Sequence, residues 1–360
     1  MHKRIINIEA AWRFRNHLGQ DIEPALFDVL AAIAETGKLT EAAKRAGYSY
    51  RHAWNLIHKW SDFFGVPLVD TEQGKGARLT PLGEKLAWAA QRIRARLGPQ
   101  LDNLAAEIDL ELLRAINALA PGIRVHASHG YAIARLPELM RPEDNVRIDL
   151  QYLGSIDALA SLAHGNCDLC GFHVPQRPLN DELRDRLTRY LKPRDFKAIK
   201  LVSRVQGLYV APGNPKKIHT LEDLARPDVH FINRQQNSGT RFLLDLMLEE
   251  AKVSPAKIHG YESVEFTHAA VAAFIASGMA DAGFGVQAAA AQFNLEFIPL
   301  AHENYCLAGA KSTWETPPVK LLYEKICSPE FAELIANLPG YDASGAGEWL
   351  NLKDFSLPAR

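Results

Sequence analysis

GKLTEAAKRAGYSYRHAWNLI, residues 37–57, sets two short helical runs on either side of Gly47. Ala42 and Ala43 are small enough for close helix approach, and Gly47 stands four residues later, where a tight turn needs it. Thr40 is expected to cap the first run and Ser49 the second. In the second run Ala53, Leu56 and Ile57 fall on the inner face. Ser49, Tyr50, Arg51, Trp54, Asn55, His58 and Lys59 are left outside. Arg and Asn suit base edges and Lys suits phosphate, so the outer face fits a recognition helix. Upstream, Pro24–Thr36 repeats Leu26, Val29, Leu30 and Ile33 on one side and stops at Gly37. Downstream, VPLVD and ARLT flank a glycine-rich turn and predict a hairpin whose Lys75 and Arg78 would touch the DNA backbone as a wing.

Charge agrees with this. Lys38 to Leu97 holds eleven Lys/Arg against five Asp/Glu, a net of +6, while the whole chain of 360 residues is at −1. The rest therefore carries −7, so a basic module precedes an acidic body. From Pro81 to about Ile116, Leu86, Ala90, Ile93, Leu97, Leu101, Leu104 and Ile108 make a near-heptad seam. It would dimerise two chains or pack on its own domain, and Pro99 inside it is expected to kink or divide the helix.

Together, residues 37–57 and GKGARLTPLGEKL (74–86) resemble the DNA-binding domain of ModE-type molybdate-dependent regulators, and more distantly the LysR type. The resemblance covers roughly residues 20–95. It implies a winged helix-turn-helix that dimerises through the following helix. ModE proteins continue into small molybdate-binding barrels, whereas nothing after residue 120 here reads as all-β.

After Pro121–Gly122 strands alternate with helices, which predicts a mainly parallel sheet covered on both faces. The strand candidates are 123–127, 146–153, 167–172, 208–211, 229–233, 281–286 and 295–300, with helices near 131–140, 156–164, 240–251, 267–277 and 286–293. In NRQQNSGTRFLLDLML (233–248) a strand ends at Asn233 and a helix begins near Thr240. The N–H groups of Ser238, Gly239 and Thr240 would converge at that helix N-terminus, with Arg234 and Arg241 adding charge, which favours an anion. Ordinary capping is the plain alternative. Ser128 and Ser155 each follow a strand and precede a helix, and Thr267–His268 opens another helix. Such helix starts lie beyond strand C-termini, where open sheets bind ligands. A cradle of neutral donors suits a tetrahedral oxyanion.

DLCGFHVP, QGLYVAPGNP, LEDLARPDVHFINRQQNSGTRFLLD, THAAVAAFIASGMADAGFGVQAAA and FIPLAHENYCLA resemble the periplasmic-binding-protein-like domain linked to molybdate, over Ile123 to about Ala308. The SGT turn with its nearby arginine is similar to that of tungstate-binding transport proteins. The resemblance implies two α/β lobes with the ligand between them. Its candidate ligand residues are Ser128, Ser155, Arg234, Ser238, Gly239, Thr240, His268 and Tyr305.

Three features carry plainer readings. Gly283–Ala288 fits GxGxxA but lies late in the chain, after several strands, and a lone match is weak evidence for a dinucleotide. Cys167 and Cys170 would point to opposite faces of a strand, as buried thiols. His126 sits in a strand and reads as core. No GxSxG elbow, P-loop or carboxylate pair occurs, so no chemical step and no cofactor is expected.

The expected architecture is a winged helix-turn-helix over 1–84, a linker and dimerisation helix over 85–120, and a two-lobed α/β ligand-binding domain over 121–360. The expected function is a one-component regulator that binds a double-stranded DNA operator as a homodimer and senses molybdate or tungstate. The alternatives are another small anion (sulfate, formate or an organic acid) or a transferase-like enzyme on the same fold. No apolar run reaches the ~18–20 residues of a membrane span. The N-terminus lacks a signal-peptide core and four cysteines make no disulfide framework, which predicts a cytoplasmic chain.

Overall fold

The computed structural model describes residues 21–72, 76–115 and 121–356, together with Ile8, Phe14–Arg15 and Gly19. The chain divides into two compact units, Glu9–Gly98 and, in the main, Pro99–Arg360.

In the first unit a short pairing of β1 (Phe14–Arg15) with β2 (Asp21–Ile22) precedes three helices: α1 (Pro24–Thr36), α2 (Leu39–Arg45) and α3 (Tyr50–Phe64). Gly37 and Gly65 end α1 and α3 in the left-handed conformation, which costs glycine least. Ser49 caps α3, accepting a hydrogen bond from His52 N at 3.2 Å. Thr40 does not cap α2; that helix starts earlier, after Lys38, and Thr40 lies inside its first turn. Leu26, Leu30, Ile33, Ala42, Ala53, Leu56, Ile57 and Trp60 close one apolar core. The hairpin pairs β3 (Val69–Glu72) with β4 (Gly76–Leu79) in antiparallel register; its tip, Lys75 included, lies outside the described residues.

The helix α4 (Pro81–Ala115) is continuous through Pro99 and is not divided there. Proline disfavours helix at the preceding residue chiefly through that residue's Cβ and N–H, and here the preceding residue is Gly98, which has no Cβ. The apolar seam splits along its length. Leu86 and Ala90 join the core of the first unit, while Leu104, Ile108 and Leu112, spaced by one helical turn, are exposed.

The second unit continues with β5 (Gly122–Ala127), β6 (Arg147–Tyr152), α5 (Ser155–Ala163), β7 (Leu169–Pro175), α6 (Asp181–Tyr190), β8 (Phe196–Val210), β9 (Phe231–Arg234) and α7 (Gly239–Glu250). Then come β10 (Val264–Glu265), α8 (His268–Ala276), β11 (Ala282–Val286), α9 (Gln287–Gln292), β12 (Glu296–Ala310), α10 (Pro317–Ile326), α11 (Pro329–Ala336) and β13 (Tyr341–Asp342). One sheet runs β10-β9-β11-β8-β12-β7-β5-β6, with β13 also on β8. It is mixed rather than mainly parallel. The 15-residue strands β8 and β12 pair antiparallel along their whole length and join β5–β7 on one side to β9–β11 on the other. The sequence reading found only one end of each. KAIKLVSRVQ at the start of β8 mixes Lys, Ser, Arg and Gln among its apolar residues and does not alternate. The helix expected over 131–140 is a 3₁₀ segment (Ile133–Leu139) containing Pro137, which has no N–H to give an α-helix.

Three apolar clusters pack on the sheet, one of them built around Leu159, Phe172 and Leu187. Of the other two, one covers β5, β6 and β12 and gathers Val125, Leu150, Leu201, Leu307 and Phe331; the other covers β8, β9 and β11 and gathers Leu208, Phe231, Leu244 and Phe284. Buried polar side chains on β7, β8, β9 and β12 and at the starts of α5, α7 and α8 make up the candidate site.

Candidate functional site

On the first unit, α3 turns Ala53, Leu56, Ile57 and Trp60 inward. Burying an aliphatic side chain of this size contributes ~1.5–3 kcal/mol, so the register of α3 is firmly set. Ser49, Tyr50, Arg51, Asn55 and Lys59 are exposed and Trp54 is half-buried, as the outer-face reading requires. Tyr50, Trp54 and His58 stack in sequence at one-turn spacing, with centroids 6.1 and 4.1 Å apart. Lys59 forms an ion pair with Glu23 at the start of α1 and stands over the Trp60 ring. Arg78 is exposed on β4.

In the second unit, the predicted ligand residues converge on a buried polar cluster. Ser128 follows β5 and Ser155 opens α5; both hydroxyls lie 3.2 Å from Nδ1 of His173 on β7. Across the sheet, α7 brings its first residue against that same histidine. A Cβ on Gly239 would stand 3.2 Å from His173 Nδ1, a tighter contact than side chains usually make. Thr240 Oγ1 accepts from Gln206 Nε2 at 3.3 Å and lies 3.5 Å from His268 Nε2 at the start of α8. Arg234 ends β9, 6% exposed; its guanidinium donates to Gln235 Oε1 and the Phe266 carbonyl.

Two predicted residues have local duties. Ser238 Oγ accepts from Arg241 N and donates to the Gln235 carbonyl, so it is a helix cap. Tyr305 donates its hydroxyl to the Ser128 carbonyl at 2.7 Å and sets its ring edgewise to His173; it positions the cradle.

The sequence reading missed His173, Arg204, Gln206 and Glu303. Arg204 and Glu303 form an ion pair with both side chains 1% exposed, and Gln206 donates to the same Glu303 oxygen. The signal was available: a lone Arg in LVSRVQGLYV and a lone Glu in HENYCLAG are charges inside apolar strands, and buried charges come paired.

Charge balance singles out Arg234. Arg204 and Glu303 offset each other, whereas no carboxylate among the described residues pairs with Arg234. Burial pulls its pKa down to about 10. Burial, then the charges of Arg234 and Arg204, hold His268 well below the ordinary histidine value; burial, Arg204 and Arg234 do the same to His173. Both imidazoles are therefore neutral near pH 7; Arg234 forms no ion pair among the described residues, and the buried Glu265 stands opposite it where β10 pairs with β9. His173 Nε2, His268 Nδ1, Gln206 Oε1 and Glu303 Oε2 are buried without partners among the described residues.

The remaining motifs have structural roles. Cys167 and Cys170 are buried. Gly283 leaves room for Val271 and Ile275 of α8, and Gly285 for the hydroxyl of Tyr209. His126 meets Ser161 Oγ at 2.6 Å.

Residues 136–326 match the family model of the PBP superfamily domain, and residues 25–84 that of the bacterial regulatory helix-turn-helix protein, lysR family. The chain is 35% identical over 198 residues to the uncharacterised protein YvgK of Bacillus subtilis, covering 55% of this chain and 64% of that one. It is 32% identical over 108 residues to the molybdenum-pterin-binding protein MopB of Rhodobacter capsulatus, covering 29% and 39%. The chain thus spans less than two thirds of the length of either relative. A cysteine-to-serine mutant of OxyR from Corynebacterium glutamicum overlaps at a TM-score of 0.44 with 16% identity, over 88% of this chain and 94% of that one. A phosphate ABC transporter substrate-binding protein from Clostridium perfringens overlaps at 0.46 with 13% identity, over 61% and 98%. Overlaps this loose carry no functional argument.

Proposed function

The chain belongs to the PBP superfamily and carries a lysR-family helix-turn-helix near its N-terminus, and from that premise we propose that it is a one-component DNA-binding transcriptional regulator sensing a small oxyanion, with molybdate or tungstate the preferred ligand. The observation that carries the ligand half is Arg234, a buried cation that forms no ion pair among the described residues and whose guanidinium donates to the Phe266 carbonyl just before α8. Hydroxyls of Ser128, Ser155 and Thr240, the N–H groups of Gly239 and Thr240, and His268 supply neutral donors around it. The molybdenum-related names of two relatives that match over short stretches, MopB and the ModE of Herbaspirillum seropedicae, support the choice of ion.

On the DNA side, Arg51 and Asn55 read bases, Ser49, Tyr50 and Trp54 flank them, and Lys59, Lys75 and Arg78 contact phosphate. Lys59 exchanges Glu23 for phosphate on binding. The exposed stripe Leu104–Ile108–Leu112 favours a homodimer and a two-fold-symmetric operator. Among the described residues no helix is long and apolar enough to cross a membrane. No chemical step is part of this reading. For the anion to regulate, it must bind two conformations unequally. Contacts that bridge the two strand groups, such as the Arg177–Glu250 ion pair and the Tyr131–Gln292 hydrogen bond, would distinguish them.

One observation favours a second ligand class. Glu303 Oε2 is a buried acceptor without a partner among the described residues, which suits an anion carrying its own donor, such as a hydroxy acid. Calorimetric titration of the full chain with molybdate, tungstate, sulfate and a hydroxy acid separates the readings. Molybdate or tungstate is expected to bind tightest, since sulfate has shorter bonds to oxygen. If neither binds more tightly than sulfate, the metal-oxyanion reading is wrong.

A further inference from the structure

His173 stands where the first strand group offers its two serines. Its Nδ1 is 3.2 Å from Ser128 Oγ and 3.2 Å from Ser155 Oγ, and its Nε2 is buried without a partner among the described residues. Either neutral tautomer leaves this arrangement mismatched to an anion. With the proton on Nε2, the single lone pair of Nδ1 accepts from one serine hydroxyl and holds that proton away from a ligand. With the proton on Nδ1, the hydroxyls are released, but a bare lone pair remains buried at Nε2. The imidazolium alone resolves both faults, because both of its nitrogens donate.

We propose that His173 is itself part of the anion site and takes up one proton from solvent as the anion binds. Nδ1–H then donates to the serine oxygens, the two hydroxyl protons turn to the anion, and Nε2–H gains an acceptor in the filled site. This inference rests on the oxyanion reading and adds a proton to it.

The surroundings of His173 fit that exchange. Ser128 after β5, Ser155 of α5, the ring of Tyr305 on β12 at 4.4 Å and the backbone of Gly239 on α7 pack against it. The charges bearing on it are Arg204 on β8 and Arg234 on β9; His268 on α8 is a titratable neighbour, and Glu303 is committed to Arg204. Without ligand, burial and the two arginines keep the ring neutral. A bound dianion opposes the charges of Arg204 and Arg234 that disfavour the imidazolium. Anion and proton then strengthen each other's binding by the same factor.

The test is calorimetric titration of the full chain with sodium molybdate at pH 6.5 in two buffers of different ionisation heat, with the dissociation constant also followed from pH 6 to 8.5. The proposal expects uptake of about half to one proton per anion, and binding that weakens towards about tenfold per pH unit as pH rises. His173→Gln should flatten that pH dependence, while His268→Gln should weaken binding and keep it. Uptake indistinguishable from zero in the natural protein overturns the proposal, as does a slope that survives in His173→Gln. The two-buffer measurement needs no variant, so it decides even if His173→Gln does not fold. Molybdate that binds without a proton defeats this inference alone; no binding by molybdate or tungstate defeats the oxyanion reading and this inference with it.

Discussion

The two units handle polarity in opposite ways. In the helical unit the buried side chains are apolar, with Thr80 the exception among the described residues, and every cation proposed to meet DNA is on the outside or outside the described residues. In the α/β unit Arg204, Glu303, Gln206, Arg234, Thr240, His173 and His268 are all buried. A long polyanion is met at a surface by exposed charges that cost the fold little. A small ion is held by removing it from water, which requires donors already buried before it arrives and a fold stable enough to carry them. Single substitutions should therefore act in opposite ways in the two units.

The largest expected effect is on the buried pair. Arg204→Met leaves Glu303 charged and unpaired in the interior and should destabilise the α/β unit by ~3–5 kcal/mol. Urea unfolding followed by tryptophan fluorescence checks this; a loss under 1 kcal/mol would mean that the pair is not load-carrying in the sense proposed.

Acid should act next. The folded-state pKa values of His173 and His268 are depressed, and burial takes His129 down to about 4. Below the unfolded value near 6.5 the unfolded chain binds protons that the native fold refuses. Stability should hold above about pH 6.5 and fall as pH drops towards 4, with a slope of up to ~1.4 kcal/mol per pH unit for each such histidine. Saturating anion should flatten that slope if His173 takes up its proton. A stability curve flat from pH 7 to 4.5 without ligand would contradict the buried neutral histidines.

Arg51→Ala should leave stability untouched, weaken operator binding by ~1–3 kcal/mol and relax its sequence preference. Competition between operator and random DNA reads this directly; an equal loss on both would move Arg51 from base to phosphate. The smallest effect is expected at Lys59. Its pair with Glu23 is exposed, so Lys59→Ala should change stability by less than ~1 kcal/mol while flattening the salt dependence of DNA binding by about one charge.

The same contrast governs what could be read from the sequence. The helical unit was legible because its signals are local: Gly37, Gly47 and Gly65 punctuate it, Ser49 caps α3, and Leu56 and Ile57 keep helical spacing. The candidate site was legible where a residue ends or follows a strand or starts a helix, at Ser128, Ser155, Arg234, Gly239, Thr240 and His268. His173, Arg204, Gln206 and Glu303 stand within strands and gain their meaning from the pairing of β12 with β7 and β8, segments far apart in the chain, which no local pattern records. Ser238 and Tyr305 lie near the cluster, but their hydroxyls are taken up in local hydrogen bonds of the fold.

The central claim, that the α/β unit keeps an unpaired cation buried for an anion, is tested most directly at Arg234. Its removal should relieve the free protein of a buried charge that forms no ion pair, while depriving the ligand of its charged partner. Molybdate titrations of the natural chain and of Arg234→Gln, each paired with its melting temperature without ligand, measure both sides. The account predicts saturable binding by the natural chain, at least about tenfold weaker binding by Arg234→Gln, matching the ~1.5–3 kcal/mol of a charged hydrogen bond, and an unliganded melting temperature no lower than that of the natural chain. Equal molybdate affinity in the two proteins would contradict it.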